Sequence, residues 1–225
     1  MTLDAYTQLC IATALFLATH FVPSTPLRAA LARAMGEKAY LGMYSLVAFA
    51  GIGWMIWAYV RAPIFPYWLG PRWLPPALMP FALILIAAGY ARNPTMVMAE
   101  GILKSSEPAR GMIRVTRHPI MWGVMLWAGA HLLALGHLKA VIFFGGFFAL
   151  ALLGSLLIDQ RKARTLGTDW ARYVTLTSHV PFVAIAQGRN RFVAAEIGWK
   201  RPLAGLAAFG VLLALHSWLF GARPY

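Results

Sequence analysis

The residues in this sequence best suited to chemistry are its 6 histidines, and three of them, His20, His131 and His216, fall inside long apolar stretches. An ionisable side chain in such surroundings is costly and marks a functional candidate. Neutral imidazoles arriving from different helices can ligate a metal ion or give axial nitrogens to haem iron. They can equally well hydrogen-bond a neighbouring helix, and the residues leave both readings open. There is no Cys-x-x-Cys, Cys-x-x-Cys-His or His-Glu-x-x-His spacing, and Cys10 is the one cysteine. Covalently attached haem, an i,i+4 zinc site and a disulfide scaffold are therefore unsupported. A second constellation is Arg114-Val-Thr-Arg117-His118-Pro119-Ile-Met-Trp122-Gly123. Proline suits the first position of a helix, and the free N–H groups there, with Arg114 and Arg117, suit an anion. The helix dipole disfavours an imidazolium at His118, leaving a neutral ring able to accept or ligate. Further along, Gly123, Gly129 and Ala130 clear one side of this helix for another helix or for a flat cofactor, with Trp127 close by.

The elements that must position these residues are membrane helices. Hydrophobic residues make up 60% of the chain and charged ones 12%, about half the charged fraction of a soluble domain. Six apolar stretches are candidates to cross about 30 Å of hydrocarbon: 6–22, 40–60, 74–90, 119–135, 141–158 and 203–220. Backbone in lipid must satisfy its own hydrogen bonds, so the expectation is an all-α, polytopic bundle of six transmembrane helices forming a single domain over 1–225. The first stretch has only Asp4 upstream and no basic residue before Arg28, which reads as a mature helix and not a signal peptide. At about 1.5 Å per residue, His131 lies about 18 Å up from Pro119, and His216 stands at a similar height beyond Leu203. Those two can meet, while His20 sits near the end of its own stretch.

Every one of the 20 basic residues except Arg61, Arg72, Lys139 and Arg223 falls in the loops after the first, third and fifth stretches. The positive-inside rule puts those loops in the cytoplasm and both termini outside, in what reads as a bacterial inner membrane. Trp54, Trp57, Tyr59, Tyr67, Trp68 and Trp73 form an aromatic belt at the outer interface. The net charge of +13 thus reads as topology and attraction to a lipid bilayer. No nucleic-acid module accompanies it.

Two inner segments look structured. Ser24-Thr25-Pro26 introduces an interfacial amphipathic helix over 27–35, closed by Gly36. The polar segment 159–201 is expected to fold over the inner face on Trp170, Tyr173, Val180 and Phe182. Asn93 is expected to satisfy the last carbonyls of the third helix, His137 and His179 to be solvated, and Asp159, Asp169 and Glu100 to pair with arginine.

Four blocks resemble one family: Ala18-Thr-His20, Gly36-Glu37-Lys38-Ala39-Tyr40, Gly111-Met-Ile-Arg114-Val-Thr-Arg117-His118-Pro119 with Ala130-His131, and Val180-Pro-Phe-Val-Ala-Ile-Ala-Gln-Gly188-Arg189. They are similar to the NnrU family and its plant relatives, the 15-cis-zeta-carotene isomerases, from about Leu17 onward. The resemblance implies a membrane enzyme carrying haem b, with histidine ligands where His20 and His131 stand and His216 as a competing ligand. Catalysis would then centre on His20 and His131, with Arg114 and Arg117 drawing the propionates and His118, Gly123, Trp127 and Gly129 lining the cofactor. The chain departs from the plant pattern at Ala128, where a cysteine stands three residues before the second histidine. The substrate implied is an apolar polyene or, through the association of NnrU with denitrification and nitric-oxide metabolism, a diatomic molecule. A fainter resemblance, Arg117-His118-Pro119 followed by a helical hairpin and a Trp170/Tyr173-to-Pro181 tail, is to the S-adenosylmethionine-dependent isoprenylcysteine and phospholipid methyltransferases. Their acidic pair is replaced here by Asp159-Gln160-Arg161.

Overall fold

The computed structural model describes residues 4–224. It is all-helical, with no strand among the described residues and one isolated bridge between Pro66 and His137. Among the described residues the α-helices are, in chain order, α1 (Ala5–Phe21), α2 (Pro26–Met35), α3 (Glu37–Arg61), α4 (Leu74–Gly89), α5 (Pro119–Leu135), α6 (Leu138–Leu176), α7 (Val183–Ala186), α8 (Ala194–Ile197) and α9 (Lys200–Phe220). The six apolar stretches coincide with helices to within one residue, Val22 falling in a 3-10 turn after α1 and Tyr90 capping α4. Four are long and apolar enough to cross a membrane: Ala5–Ser24, Glu37–Arg61, Leu138–Leu176 and Lys200–Phe220. The helices α4 and α5, of 16 and 17 residues, rise about 24 and 26 Å and fall short of about 30 Å of hydrocarbon.

The helix ends follow local chemistry. Asp4 accepts from the Thr7 N–H at the start of α1, and Pro119 occupies the first position of α5. The amphipathic helix α2 runs as expected and closes at Gly36, whose N–H reaches the Ala32 carbonyl. The Asn93 side-chain amide caps the Gly89 carbonyl at 2.9 Å.

The principal helix contacts give a row in the order α3, α1, α6, α5, α4, α9. Leu9, Ala12 and Phe16 of α1, Met55 and Ala58 of α3, Ala128 of α5 and Phe143 and Phe144 of α6 form the main buried cluster. Outward positions such as Leu46, Phe49, Val60, Leu203, Val211 and Trp218 are exposed, as hydrocarbon-facing side chains must be. The row brings backbones close where side chains are absent. A Cβ on Gly123 would lie 2.6 Å from the Ala82 carbonyl, and one on Gly205 2.8 Å from the Ile84 Cα.

At the end remote from the basic loops, residues 62–73 fold back on the α5–α6 turn. The Gly136 carbonyl accepts from the N–H groups of Tyr67 and Trp68 at 2.7 and 3.1 Å, and the Trp68 indole donates to the Leu133 carbonyl at 2.9 Å. Gly136 has φ 57 and packs directly on the Trp68 carbonyl, so a side chain there meets both backbone strain and a clash. His137, expected to be solvated, is 7% exposed and accepts the Ala140 N–H at 3.1 Å as the N-cap of α6.

The segment 159–201 differs most from expectation. Its first half continues α6 to Leu176, with a kink at Gly167 where φ is 51 and ψ −119, a conformation open to glycine. Leu166, Trp170, Tyr173 and Val174 repeat at helical spacing and pack on Leu103, Ala109 and Ile113. Overall polarity concealed this apolar stripe. Of the four expected anchors, Trp170 and Tyr173 are buried, whereas Val180 and Phe182 are 50% and 57% exposed.

Candidate functional site

The three histidines of the apolar helices share one feature. The Nδ1 atom of His20 lies 2.8 Å from the Phe16 carbonyl, that of His131 2.8 Å from the Trp127 carbonyl, and that of His216 2.8 Å from the Ala222 carbonyl. A carbonyl only accepts, so Nδ1 carries the proton and a neutral ring keeps its Nε2 lone pair for a ligand. That is the tautomer that ligation of iron through Nε2 requires. Among the described residues, no group of three His, Cys, Asp or Glu could hold a bare metal ion.

The row decides which imidazoles meet. His131 and His216 stand on α5 and α9, which both flank α4. His20 lies on α1, across α6 from His131. Ring contacts connect the two through Phe16 (4.1 Å from His20), Phe147 (5.4 Å from Phe16) and Trp127 (5.2 Å from Phe147, 5.9 Å from His131). His131 itself stacks on Phe144 with centroids 5.0 Å apart at 15°. Trp127 therefore supports His131 twice, with its ring and with its carbonyl. Gly129 faces the Phe148 ring, whereas the space beside Gly123 is filled by Ala82 and Ile86 of α4, which leaves no room for a flat cofactor there.

At the basic end, the arginines expected to attract an anion are occupied by carboxylates. Arg114 makes a two-pronged pair with Glu196, Nε to Oε2 at 2.7 Å and Nη2 to Oε1 at 2.8 Å, and donates to the Asn190 side chain at 2.7 Å. The Gly111 N–H also donates to Glu196, at 2.8 Å. Hydrogen bonding from Arg114 holds the Glu196 carboxyl down at about 2, against the cost of its burial. Arg117 donates through Nε to Asp159 at 2.9 Å. His118 is fully buried and donates through Nε2 to the other Asp159 oxygen at 2.7 Å, so that nitrogen is spent and is not available as a ligand. Its Nδ1 is buried without a partner.

Sequence reasoning missed His179 and Glu196. The His179 Nε2 lies 2.7 Å from the Ser155 hydroxyl. The carbonyl of His179 accepts from the Thr116 hydroxyl at 2.6 Å and the Trp122 indole at 2.7 Å, and its ring stands 5.2 Å from His118. Burial is the main cause that pushes its pKa down. Residues 177–182 thus cover the start of α5, which Arg117 N–H donating to the Ser178 carbonyl at 2.9 Å and Phe182 N–H donating to the Val115 carbonyl at 2.8 Å complete. No linear motif signals this. With 7 acidic residues against 20 basic ones, a tight partner for each carboxylate was the available clue for Glu196. A cavity of about 400 Å³ beside this cluster is lined by Arg114, Leu176, Arg189 and Asn190 among others, and none of the three membrane histidines lines it.

A family model described as "NnrU protein" matches residues 8–224. The chain belongs to the NnrU family. This NnrU chain is also similar to "15-cis-zeta-carotene isomerase, chloroplastic" of Arabidopsis thaliana, 39% identical over 80 residues, which is 36% of this chain and 22% of that protein. The protein of the same name from Zea mays is 36% identical over 81 residues, again 36% of this chain and 22% of the relative. The match therefore spans about a fifth of the length of these curated relatives. No solved structure matches.

Proposed function

We propose that this NnrU-family membrane protein is a cis-trans isomerase of a lipid-soluble polyene and works with haem b held by His131. The observation that carries the haem reading is the shared tautomer: three membrane histidines each donate through Nδ1 to a main-chain carbonyl and leave Nε2 for iron. The isomerase reading rests on the names of the relatives. His131 is the ligand common to both pairings. Its position relative to α9 supports His216 as the second nitrogen, and the family resemblance supports His20.

Haem iron, when bound, supplies a Lewis acid and one-electron centre next to the double bond that is to rotate. The chain's own residues supply the rest. Phe144 fixes the plane of the His131 ring, and the Trp127 carbonyl fixes its proton on Nδ1. Trp127, Phe143, Phe144 and Phe147 form an aromatic wall, which would keep water from the reacting carbons and suits an apolar chain. All six apolar helices are placed across the bilayer in this reading, with both termini on the side away from the basic loops. The short α4 and α5 stand inside the row between longer neighbours, where local thinning of the bilayer accommodates them. The relatives are named as chloroplastic, which gives no support to the expected bacterial inner membrane. Methyl transfer is not favoured, because the residues it would use, Arg117 and His118, are engaged with Asp159.

The test is purification after haem-sufficient expression, with absorbance spectra and conversion of a cis-polyene in detergent measured on the parent and on His131→Ala, His216→Ala and His20→Ala. The parent should show a Soret band and conversion, both lost in His131→Ala. Whichever of the other two variants loses its low-spin spectrum identifies the second ligand. A parent with neither Soret band nor conversion refutes the proposal.

A further inference from the structure

The basic end of α1, α3 and α6 contains a buried hydroxyl without a hydrogen-bond partner and a half-buried guanidinium without a carboxylate. Tyr40, in the first turn of α3, is 3% exposed, and its hydroxyl has no hydrogen-bond partner. Arg161, half-buried on α6, donates through Nη1 to the Pro23 carbonyl at 2.9 Å. No carboxylate lies within ion-pair distance of it among the described residues. The acidic groups nearby are committed elsewhere. Glu100 pairs with Lys162 at 2.8 Å, and Glu37 pairs with Arg28. Arg28 lies over the Tyr40 ring, 5.6 Å from its centroid. The charged groups facing Tyr40 are Arg28, Glu37 and Arg161, so cationic charge is in excess there. A buried hydroxyl without a partner and a half-buried guanidinium without a counter-ion are each unfavourable alone. One anion lying against both would satisfy the two together.

The surroundings specify what carries that anion. Tyr44 lies one turn up α3, with its ring 6.2 Å from Tyr40 and 5.7 Å from His20. An anion at Tyr40 thus continues into an apolar, aromatic surface leading toward the membrane interior. We infer that Tyr40 and Arg161, with Arg28 beside them, bind the carboxylate or phosphate of a membrane amphiphile whose apolar part lies along Tyr44 and His20. Two sources have this chemistry: a porphyrin propionate and an anionic phospholipid headgroup. Only the porphyrin arm rests on the proposed function.

The experiment uses the full chain, delipidated in neutral detergent. Affinity is measured for short-chain phosphatidylglycerol against phosphatidylcholine, and for iron protoporphyrin IX against its dimethyl ester, which keeps the iron and removes both carboxylates. The parent should prefer the anionic member of at least one pair. Arg161→Gln should weaken that member's binding roughly tenfold or more, with Arg161→Lys recovering part, as loss of a charge-assisted hydrogen bond requires. Tyr40→Phe should weaken it severalfold without changing any charge, which diffuse attraction cannot mimic. Arg33→Gln, an exposed basic change on α2, should have little effect. A lipid preference lost in the two variants, in a parent that takes no porphyrin, supports this site while refuting the haem proposal. Porphyrin and ester bound equally, with no lipid preference, overturns the site and leaves the haem proposal standing. Tyr40→Phe that raises the melting temperature and leaves every affinity unchanged also overturns it.

Discussion

Replacing Glu196 with Gln tests the reading of the basic end most directly. Its carboxyl is held at about 2, chiefly by Arg114, against an ordinary value of 4.5. The difference corresponds to roughly 3 kcal/mol at 1.36 kcal/mol per unit, and we take about 2 to 3 because the side chain is 13% exposed. The sign follows from the depressed pKa: the contribution is complete above about pH 4.5 and is lost as pH falls toward 2. The carboxylate joins the Gly111 N–H and Arg114 to α8, so its loss should release residues 188–198 locally. Hydrogen exchange of the Gly111 amide and of that segment at pH 7 should quicken by about 30- to 160-fold in Glu196→Gln. The parent should gain the same exchange on acidification below pH 4.5, whereas the variant should change little over that range. Exchange in the variant within threefold of the parent at pH 7 would refute the assignment, as would equal responses of the two proteins to acid.

Three further outcomes are expected. Asp159→Asn leaves the fully buried His118 and Arg117 without their shared carboxylate and should cost about 3 to 5 kcal/mol; a melting temperature within 2 °C of the parent (about 1 kcal/mol or less) would show that the cluster bears little weight. Gly136→Val should expose the 62–73 loop to limited proteolysis, and a parent-like digestion pattern would contradict the close approach to Trp68. His179 is held below the ordinary imidazole value near 6.5, so the neutral ring favours the folded segment and stability should fall as pH drops below about 6.5. His179→Asn should flatten that dependence in melts from pH 8 to 5, and an unchanged slope would place the titration elsewhere.

The helices were legible because hydrophobicity is a property of each residue and accumulates over a window. A stretch such as 74–90 or 203–220 has one stable conformation in hydrocarbon, and end signals such as Pro119 and Gly36 act within a turn. Polarity beyond Ile158 misled for the complementary reason: a stripe of Leu166, Trp170 and Tyr173 carries the packing, while the average over the segment does not report it.

The partners in the long-range ion pairs were settled only by tertiary structure. Nothing near Arg114 in sequence points to Glu196, 82 residues away, or near Arg117 to Asp159, 42 residues away. His20, His131 and His216 could be named from sequence as buried imidazoles, and their common tautomer is nearly local, set for two of them by a carbonyl one turn back. Which of them face one another depends on the order of the row, with α6 between α1 and α5 and α4 between α5 and α9. Helix order and rotation are set by small-residue approaches such as Gly123 on Ala82 and Gly205 on Ile84. Those approaches depend on pairs of surfaces, and a single stretch of sequence contains only one member of each pair.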